Sequence, residues 1–315
     1  MNDIPDLNER LLPYRFMSPD MVEPAEGGSR LLYRDVEYAL LPGFRPLVLD
    51  LSVPRTRAAP VPAVIYCHPG AWLTGTHKPN AQYACQNAIL MGLAQAGFAF
   101  AAVQYRLSSE AKFPACLHDV AAAVRWVRHF APALGVDGAR IGVWGESCGG
   151  HLASFLAMNV EDEELTGSVG VRGASSAVQA GVSWYGVTDF LTLSKQALPG
   201  TRGDFTSPYA PGALLIGAGL QQSPEFARRA SPRIHASSRA APMFFVHGER
   251  DLTTPPDQSR TLHRALLDAG VEAHLTTVPG ADHQLIGTDP APFVAASTAF
   301  LVRHLMAGVA MPDAP

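Results

Sequence analysis

Ile141-Gly142-Val143-Trp144-Gly145-Glu146-Ser147-Cys148-Gly149-Gly150 is the stretch on which the reading of the whole chain turns. An apolar run enters Gly-x-Ser-x-Gly and continues into the helix-forming stretch Leu152 to Met158, so Ser147 is predicted on a sharp strand-to-helix turn. A turn that tight needs neighbours without Cβ atoms, because the two backbones pass close together. Gly-x-Ser-x-Gly alone is short enough to match by chance. The strand before it and the helix after it carry the assignment.

The surrounding chain supplies the rest of the pattern. Upstream, Ala63-Val64-Ile65-Tyr66-Cys67 is a compact apolar run ending at His68-Pro69-Gly70, as expected of a strand covered on both faces. Arg34 to Leu41 and Pro46 to Val53 are β-rich runs joined across Pro42-Gly43, a hairpin signal. A helix over roughly 80–95 precedes a strand over 98–104, and a helix over roughly 115–131 precedes a strand over 140–145. In the second helix Val120, Val124 and Val127 recur at helical spacing, with Trp126 widening the stripe. Downstream come a strand over 178–185, Phe244-Phe245-Val246, a helix over 257–269, a strand over 272–278 and a helix over 292–306. Strands and helices taking turns predict an α/β fold with a mostly parallel sheet wrapped by helices. Residues 187–240 break the rhythm. Rich in Gly, Pro and Ser and set between two core strands, they read as a lid or binding insertion.

The 315 residues carry a formal charge of −4, are 47% hydrophobic and only 17% charged, which allows one large core. That balance excludes a disordered chain and gives no electrostatic reason to expect nucleic acid or an anionic membrane as partner. The first two dozen residues carry Asp3, Asp6, Glu9, Arg10, Arg15, Asp20 and Glu23 without a continuous apolar core, so no secretory signal is expected. Ala88 to Val103, the longest nearly apolar stretch, is interrupted by Gly92, Gln95 and Gly97 and is too short to span a bilayer. Cys67, Cys85, Cys116 and Cys148 lack Cys-x-x-Cys spacing and sit in apolar stretches, which predicts reduced thiols and a cytoplasmic location.

A serine hydroxyl is a poor nucleophile without a base and a group to orient that base. In a fold of this kind the order is serine, acid, histidine. Phe244 to Asp251 is a strand leading into a polar loop with an acid, and Val278-Pro279-Gly280-Ala281-Asp282-His283 is a strand leading into a loop with a histidine. The expected catalytic set is therefore Ser147, Asp251 and His283. Glu249 and Asp257 compete with Asp251, which is preferred because it lies just past the strand end; Asp282, next to His283, is poorly placed to grip its ring. The rate should then fall on acidification, as the histidine takes up a proton.

Acyl transfer builds negative charge on a substrate oxygen, so backbone N–H groups must be aimed at it beforehand. His68-Pro69-Gly70-Ala71-Trp72 follows a strand, and Pro69 has no N–H, which leaves Gly70 and Ala71, with Cys148 after the nucleophile, as the expected oxyanion donors. Trp72, Trp184 and Tyr185 lie near predicted strand ends, where packing in the core and lining a substrate pocket are equally open to them. Asp189 is expected to anchor the base of the insertion. Ser109-Glu110-Ala111-Lys112 matches Ser-x-x-Lys, but its companion motifs are missing and Phe113-Pro114 interrupts the helix it would need. No metal-binding motif occurs, and Gly217-Ala218-Gly219 lacks the third glycine of a nucleotide loop, so neither metal nor cofactor is expected.

These residues resemble the α/β-hydrolase superfamily, specifically its hormone-sensitive-lipase-like esterases. The similarity is to the bacterial branch of feruloyl-esterase-like carboxylesterases and relatives of kynurenine formamidase. It covers nearly all of 33–306 and rests on Leu49-Asp50-Leu51 with Pro54, the His68 to Trp72 loop, Tyr105 to Ser108, Lys112 to Ala115 and the Ser147 turn with His151-Leu152-Ala153. Asp189, Ser231-Pro232, Ala241-Pro242, His247-Gly248 with Asp251, and Pro279 to His283 complete it.

The resemblance implies an eight-stranded core over 33–186 and 241–308, a partial lid from the arm 1–32 and the insertion 187–240, and a tail over 309–315. It also implies a metal-free Ser147–His283–Asp251 hydrolase acting on a small carboxylic ester, with arylformamide or another amide as the alternative bond. In some relatives the last strand forms a homodimer edge. Receptor-like members of the superfamily have lost a triad residue, whereas all three are present here. Two departures stand out: Pro69 and Ala71 replace the outer glycines of the usual His-Gly-Gly-Gly loop, and Cys148 replaces the usual alanine. Ala71 is the less natural of the two donors in that loop, because a Cβ resists unusual backbone angles.

Overall fold

Val61–Cys67 has six of its seven residues buried, so neither of its faces can meet water and it must lie inside a sheet covered on both sides. The computed structural model describes residues 16–55 and 59–306 and places that strand at the sheet centre. In chain order the strands are β1 (Ala25–Gly27), β2 (Arg30–Ala39), β3 (Leu47–Pro54), β4 (Val61–Cys67), β5 (Ala99–Val103), β6 (Val136–Glu146), β7 (Ala180–Trp184), β8 (Met243–Gly248) and β9 (Ala273–Val278). They form one sheet ordered β1-β2-β3-β5-β4-β6-β7-β8-β9. From β5 to β9 all neighbours are parallel, and β1, β2 and β3 join antiparallel. The eight expected strands are β2 to β9. The additional β1 is three residues at the antiparallel edge, too short to show a period.

The long helices are α1 (Gln86–Gln95), α2 (Ala115–His129), α3 (Cys148–Ala157), α4 (Asp257–Asp268) and α5 (Ala291–Leu305). On one face Val120, Val124 and Val127 of α2, Leu152 and Phe155 of α3, and Leu262 and Leu266 of α4 join a single apolar cluster. On the other, Ile89 and Leu93 of α1 and Val294, Leu301 and Leu305 of α5 close a second one over Tyr66, Trp144 and Trp184. α1 starts later than expected because the chain before it is held in turns: the Gln86 amide accepts from Asn80 N at 3.0 Å. α2 stops at His129, and Pro132 falls in the first turn of the short helix Ala131–Leu134 that follows.

Residues 16–27 run along the sheet edge. Trp126 Nε1 donates to Met17 O at 2.7 Å, and Phe16 packs edge-on against Phe130. The first 15 residues of the expected arm and the tail 309–315 lie outside the described residues. The insertion holds the short helices Leu193–Gln196, Pro211–Ile216 and Pro224–Arg229. It docks on the segment before α2, with Phe113 N donating to Leu215 O and Lys112 Nζ to Leu214 O, both at 2.9 Å. Asp189, at its base, pairs with Arg233 at 2.7 Å. Gln258 of α4 accepts from the N–H groups of Thr188 and Asp189 at 2.8 Å each.

The topology decides where a site belongs. The chain leaves β4 for β5 on one side and leaves β6 for β7 on the other, so the loops after these adjacent parallel strands diverge and open a crevice at their carboxyl ends. Cys67 faces Gly145 in register, which sets the His68 to Trp72 loop beside the Ser147 turn.

Candidate active site

Ser147 sits at φ 53°, ψ −119°, a conformation side chains rarely adopt, and its N–H is held by Trp184 O at 2.9 Å. The flanking glycines make that turn feasible. A Cβ on Gly145 would stand 2.0 Å from Gly149 O, and one on Gly149 would stand 2.1 Å from Cys67 O.

Neighbouring strands bring the other two members. Gly248 and Val278 are register partners at the ends of β8 and β9, so the loops carrying Asp251 and His283 emerge side by side. His283 Nε2 lies 3.0 Å from Ser147 Oγ, and Nδ1 lies 2.7 Å from Asp251 Oδ2. An ionised carboxylate only accepts, so Nδ1 carries the proton and Nε2 is free to accept from the serine hydroxyl. Asp251 is 1% exposed, and its Oδ1 accepts from Thr253 N at 2.8 Å and Thr254 N at 2.7 Å. Burial alone would raise its pKa, but His283 and His247 outweigh that and hold the carboxyl well below the usual range. The competing acids are elsewhere engaged: Glu249 accepts from Thr277 Oγ1 at 2.9 Å, and Asp257 pairs with Arg260 at 2.8 Å on the surface.

The loop after β4 takes left-handed backbone angles at Gly70 (φ 127°), Ala71 (φ 57°) and Trp72 (φ 58°). Glycine is required at the first of these, where a Cβ would meet Thr74 O at 2.1 Å. Ala71 does adopt the angle that the sequence made doubtful for it. The loop is braced from below by Tyr105, which stacks on His68 with ring centroids 4.2 Å apart and donates to His68 O at 2.7 Å. Burial pushes the His68 pKa down to about 4, so the ring stays neutral. Cys148 Sγ lies 3.3 Å from Tyr105 Oη. Burial raises its pKa, against the Tyr105 hydroxyl and the N–H groups of Trp72, Ala71 and Gly149 that face the sulfur, so the group remains a thiol and gives its own proton to Tyr105 Oη, whose hydrogen goes to His68 O.

The aromatic residues near the strand ends separate. Trp184 does not line a pocket: it is fully buried on the α5 face, its Nε1 donating to Ser297 Oγ at 3.0 Å. Tyr185, the next residue, leaves the strand with φ 41°, so the alternation of extended backbone ends there, and its ring stays in the same apolar cluster, 6.2 Å from that of Trp184. It too is fully buried, with its ring edge-on to His283 at 4.9 Å and its hydroxyl donating to Glu146. Trp72 is packed at 5.2 Å from His151 and 5.7 Å from Phe190.

Three residues near the triad have no site role assigned by the sequence. His247, fully buried, lies 3.3 Å from Asp251 Oδ2 and is oriented by Ser259 Oγ at 2.7 Å and Thr254 O at 2.9 Å. Glu146, the variable residue of the serine motif, is buried and accepts from both Tyr66 and Tyr185. Burial raises its pKa, and the two hydroxyls and His283 pull it back only in part. Asp282 does not reach the imidazole; instead its Oδ1 accepts from Leu252 N at 3.0 Å and His283 N at 2.7 Å, tying the acid loop to the histidine loop. Only an acid next to the histidine hinted at this. Among the described residues, the one set able to hold a metal is Asp35, Asp50 and His77, and Lys78 Nζ lies 2.8 Å from both acids, balancing their charge.

A mostly parallel sheet with a serine on a strained turn at its switch point, and with acid and histidine loops following in that order, is an α/β-hydrolase. Residues 49–266 match the BD-FAE family, and the chain belongs to it. Esterase LipQ of Mycobacterium tuberculosis is 29% identical over 79% of this chain and 56% of its own length. The chain spans about half the length of the curated relatives it matches. Among solved structures, a truncated carbohydrate esterase from gut microbiota superposes with TM-score 0.77 at 28% identity, covering 90% of this chain and 99% of that one. A thermophilic esterase of Thermogutta terrifontis gives TM-score 0.67 at 26% identity, covering 95% and 97%.

Proposed function

We propose that this protein hydrolyses a small carboxylic ester through an acyl-enzyme on Ser147. The reading rests on one observation above the others: hydroxyl, imidazole and carboxylate are in line at 3.0 Å and 2.7 Å. His283 Nε2 takes the Ser147 proton as Oγ attacks the ester carbon, and Asp251 supports the charged ring. The N–H groups of Gly70 and Cys148 stabilise the oxyanion, and that of Ala71, which faces the Cys148 sulfur in this structure, joins them by turning from it. The tetrahedral adduct collapses, the C–O bond to the alcohol breaks, and His283 returns its proton to that oxygen. Water then repeats the sequence and releases the acid. The esterase names of the relatives agree with this chemistry.

Residues 187–240 serve as a lid. Four buried, unbridged cysteines suit a reducing cytoplasm, and no described helix is long and apolar enough to cross a membrane. The exposed edge at β9 is the place for a second copy of the chain to pair, which sedimentation would reveal.

Turnover of p-nitrophenyl acetate and labelling by a fluorophosphonate probe test the reading. Wild type is expected to do both and Ser147→Ala neither, with its fold intact. A protein that neither turns over nor labels is a binding protein instead.

A further inference from the structure

Past the last register pair, Gly248 with Val278, the acid and histidine loops are no longer held by the sheet ladder. Two backbone bonds continue the pairing, Glu249 N to Val278 O and Arg250 N to Ala281 O, both 2.9 Å. Beyond them the Asp282 carboxylate makes the cross-tie to Leu252 N and to His283 N. A third element grips this tie. Arg202, in the insertion, donates its backbone N–H to Leu252 O at 2.6 Å. Its Nη1 reaches Thr253 Oγ1 at 3.1 Å and Asp282 Oδ1 at 3.3 Å, and its Nη2 pairs with Asp282 Oδ2. Thr253 in turn donates its N–H to Asp251 Oδ1 at 2.8 Å. One guanidinium therefore joins the lid insertion, the acid loop and the histidine loop, two residues from Asp251 and one from His283.

We infer that Arg202 is a positioning residue: it couples the seating of the insertion to the Asp251–His283 alignment, so that a docked insertion is part of what makes the triad competent. The inference rests on the ester-hydrolase reading above and extends it. Arginine suits the place because its planar fork reaches Asp282 through both terminal nitrogens while one of them also serves Thr253, a geometry that an ammonium cannot reproduce. Alignment matters steeply, since a displacement of about 1 Å can cost on the order of a hundredfold in rate. Asp282 keeps its backbone donors when Arg202 is removed, so the loss is one of rigidity rather than of fold. The guanidinium is half exposed, which places the effect below that of deleting a triad member.

The test compares wild type, Arg202→Ala, Arg202→Lys, Asp282→Asn and the double variant R202A/D282N. With p-nitrophenyl acetate, R202A should lower kcat about tenfold while KM stays within about twofold and the melting midpoint holds, and R202K should recover part of the loss. The double variant should be no worse than the poorer single one, because both cut the same tie. Amide hydrogen exchange at Leu252 and His283 should quicken in R202A, a readout independent of turnover. Unchanged exchange at both amides, a kcat within twofold of wild type, a change confined to KM, or multiplicative losses in the double variant would each overturn the inference. Wild-type protein without hydrolysis or labelling would sink the esterase reading instead, and the exchange measurement would still judge the clamp.

Discussion

Replacing Asp251 by asparagine removes one charge and adds two hydrogens, and the structure dictates where they go. Oδ1 is held by the N–H groups of Thr253 and Thr254 at 2.8 Å and 2.7 Å. Turning the amide over would aim its NH2 at both of them, and each buried, unsatisfied donor costs about 1–3 kcal/mol. The amide oxygen therefore stays in place, and the NH2 takes the position of Oδ2, 2.7 Å from His283 Nδ1. Two N–H groups cannot face each other, so the ring must move its proton to Nε2, 3.0 Å from Ser147 Oγ. There it can donate to the hydroxyl but no longer accept from it. Loss of the correct tautomer in a relay of this type costs about 10⁴-fold in kcat, or about 5.5 kcal/mol of barrier. Steady-state hydrolysis of p-nitrophenyl acetate near neutral pH, together with the rate of fluorophosphonate labelling, measures the loss directly. A folded Asp251→Asn protein retaining more than about a tenth of wild-type kcat would refute the reasoning.

Two further outcomes follow from buried polar groups. His68 and His151 are fully buried, and burial lowers both pKa values from 6.5 to about 4. The unfolded chain then binds the extra protons first, so stability is complete above about pH 6.5 and is lost as pH falls toward 4, by about 3 kcal/mol for each ring. The melting midpoint should drop over that window, less steeply in His151→Gln, and a midpoint flat from pH 7 to pH 4.5 would contradict the assignment. Glu146→Leu strands the hydroxyls of Tyr66 and Tyr185 in the core, at about 1–3 kcal/mol each, and frees the Tyr185 ring that rests on His283. Urea denaturation should show the loss, and a variant as stable as wild type would mean that water reaches these groups.

The Ser147 turn was legible because it is a local device: strand, two close-approach glycines and helix lie within about a dozen consecutive residues. Asp251 and His283 were legible by a weaker rule, as polar residues just beyond buried strands. The aromatic residues show where that rule stops. Trp184 and Tyr185 are consecutive and look alike in sequence, yet one is buried against α5 and the other against the triad histidine. The difference is set by the left-handed backbone at Tyr185 (φ 41°), where β7 ends, which composition does not reveal. The pattern over 80–95 runs ahead of the helix itself, which starts at Gln86, through turns that a single glutamine side chain stabilises.

The chain by itself determined the alternation of strands and helices, the strained serine and the residue types able to activate it, since each depends on neighbours a few positions apart. Only the tertiary structure decided which acid meets the imidazole, that Asp282 ties two loops, that His247 backs Asp251, and that Arg202 reaches across from the insertion. Those contacts join residues up to 80 positions apart, as Arg202 and Asp282 are. Their partners are selected by strand order and register, which bring loop ends together within hydrogen-bond reach, and no local pattern encodes that distance.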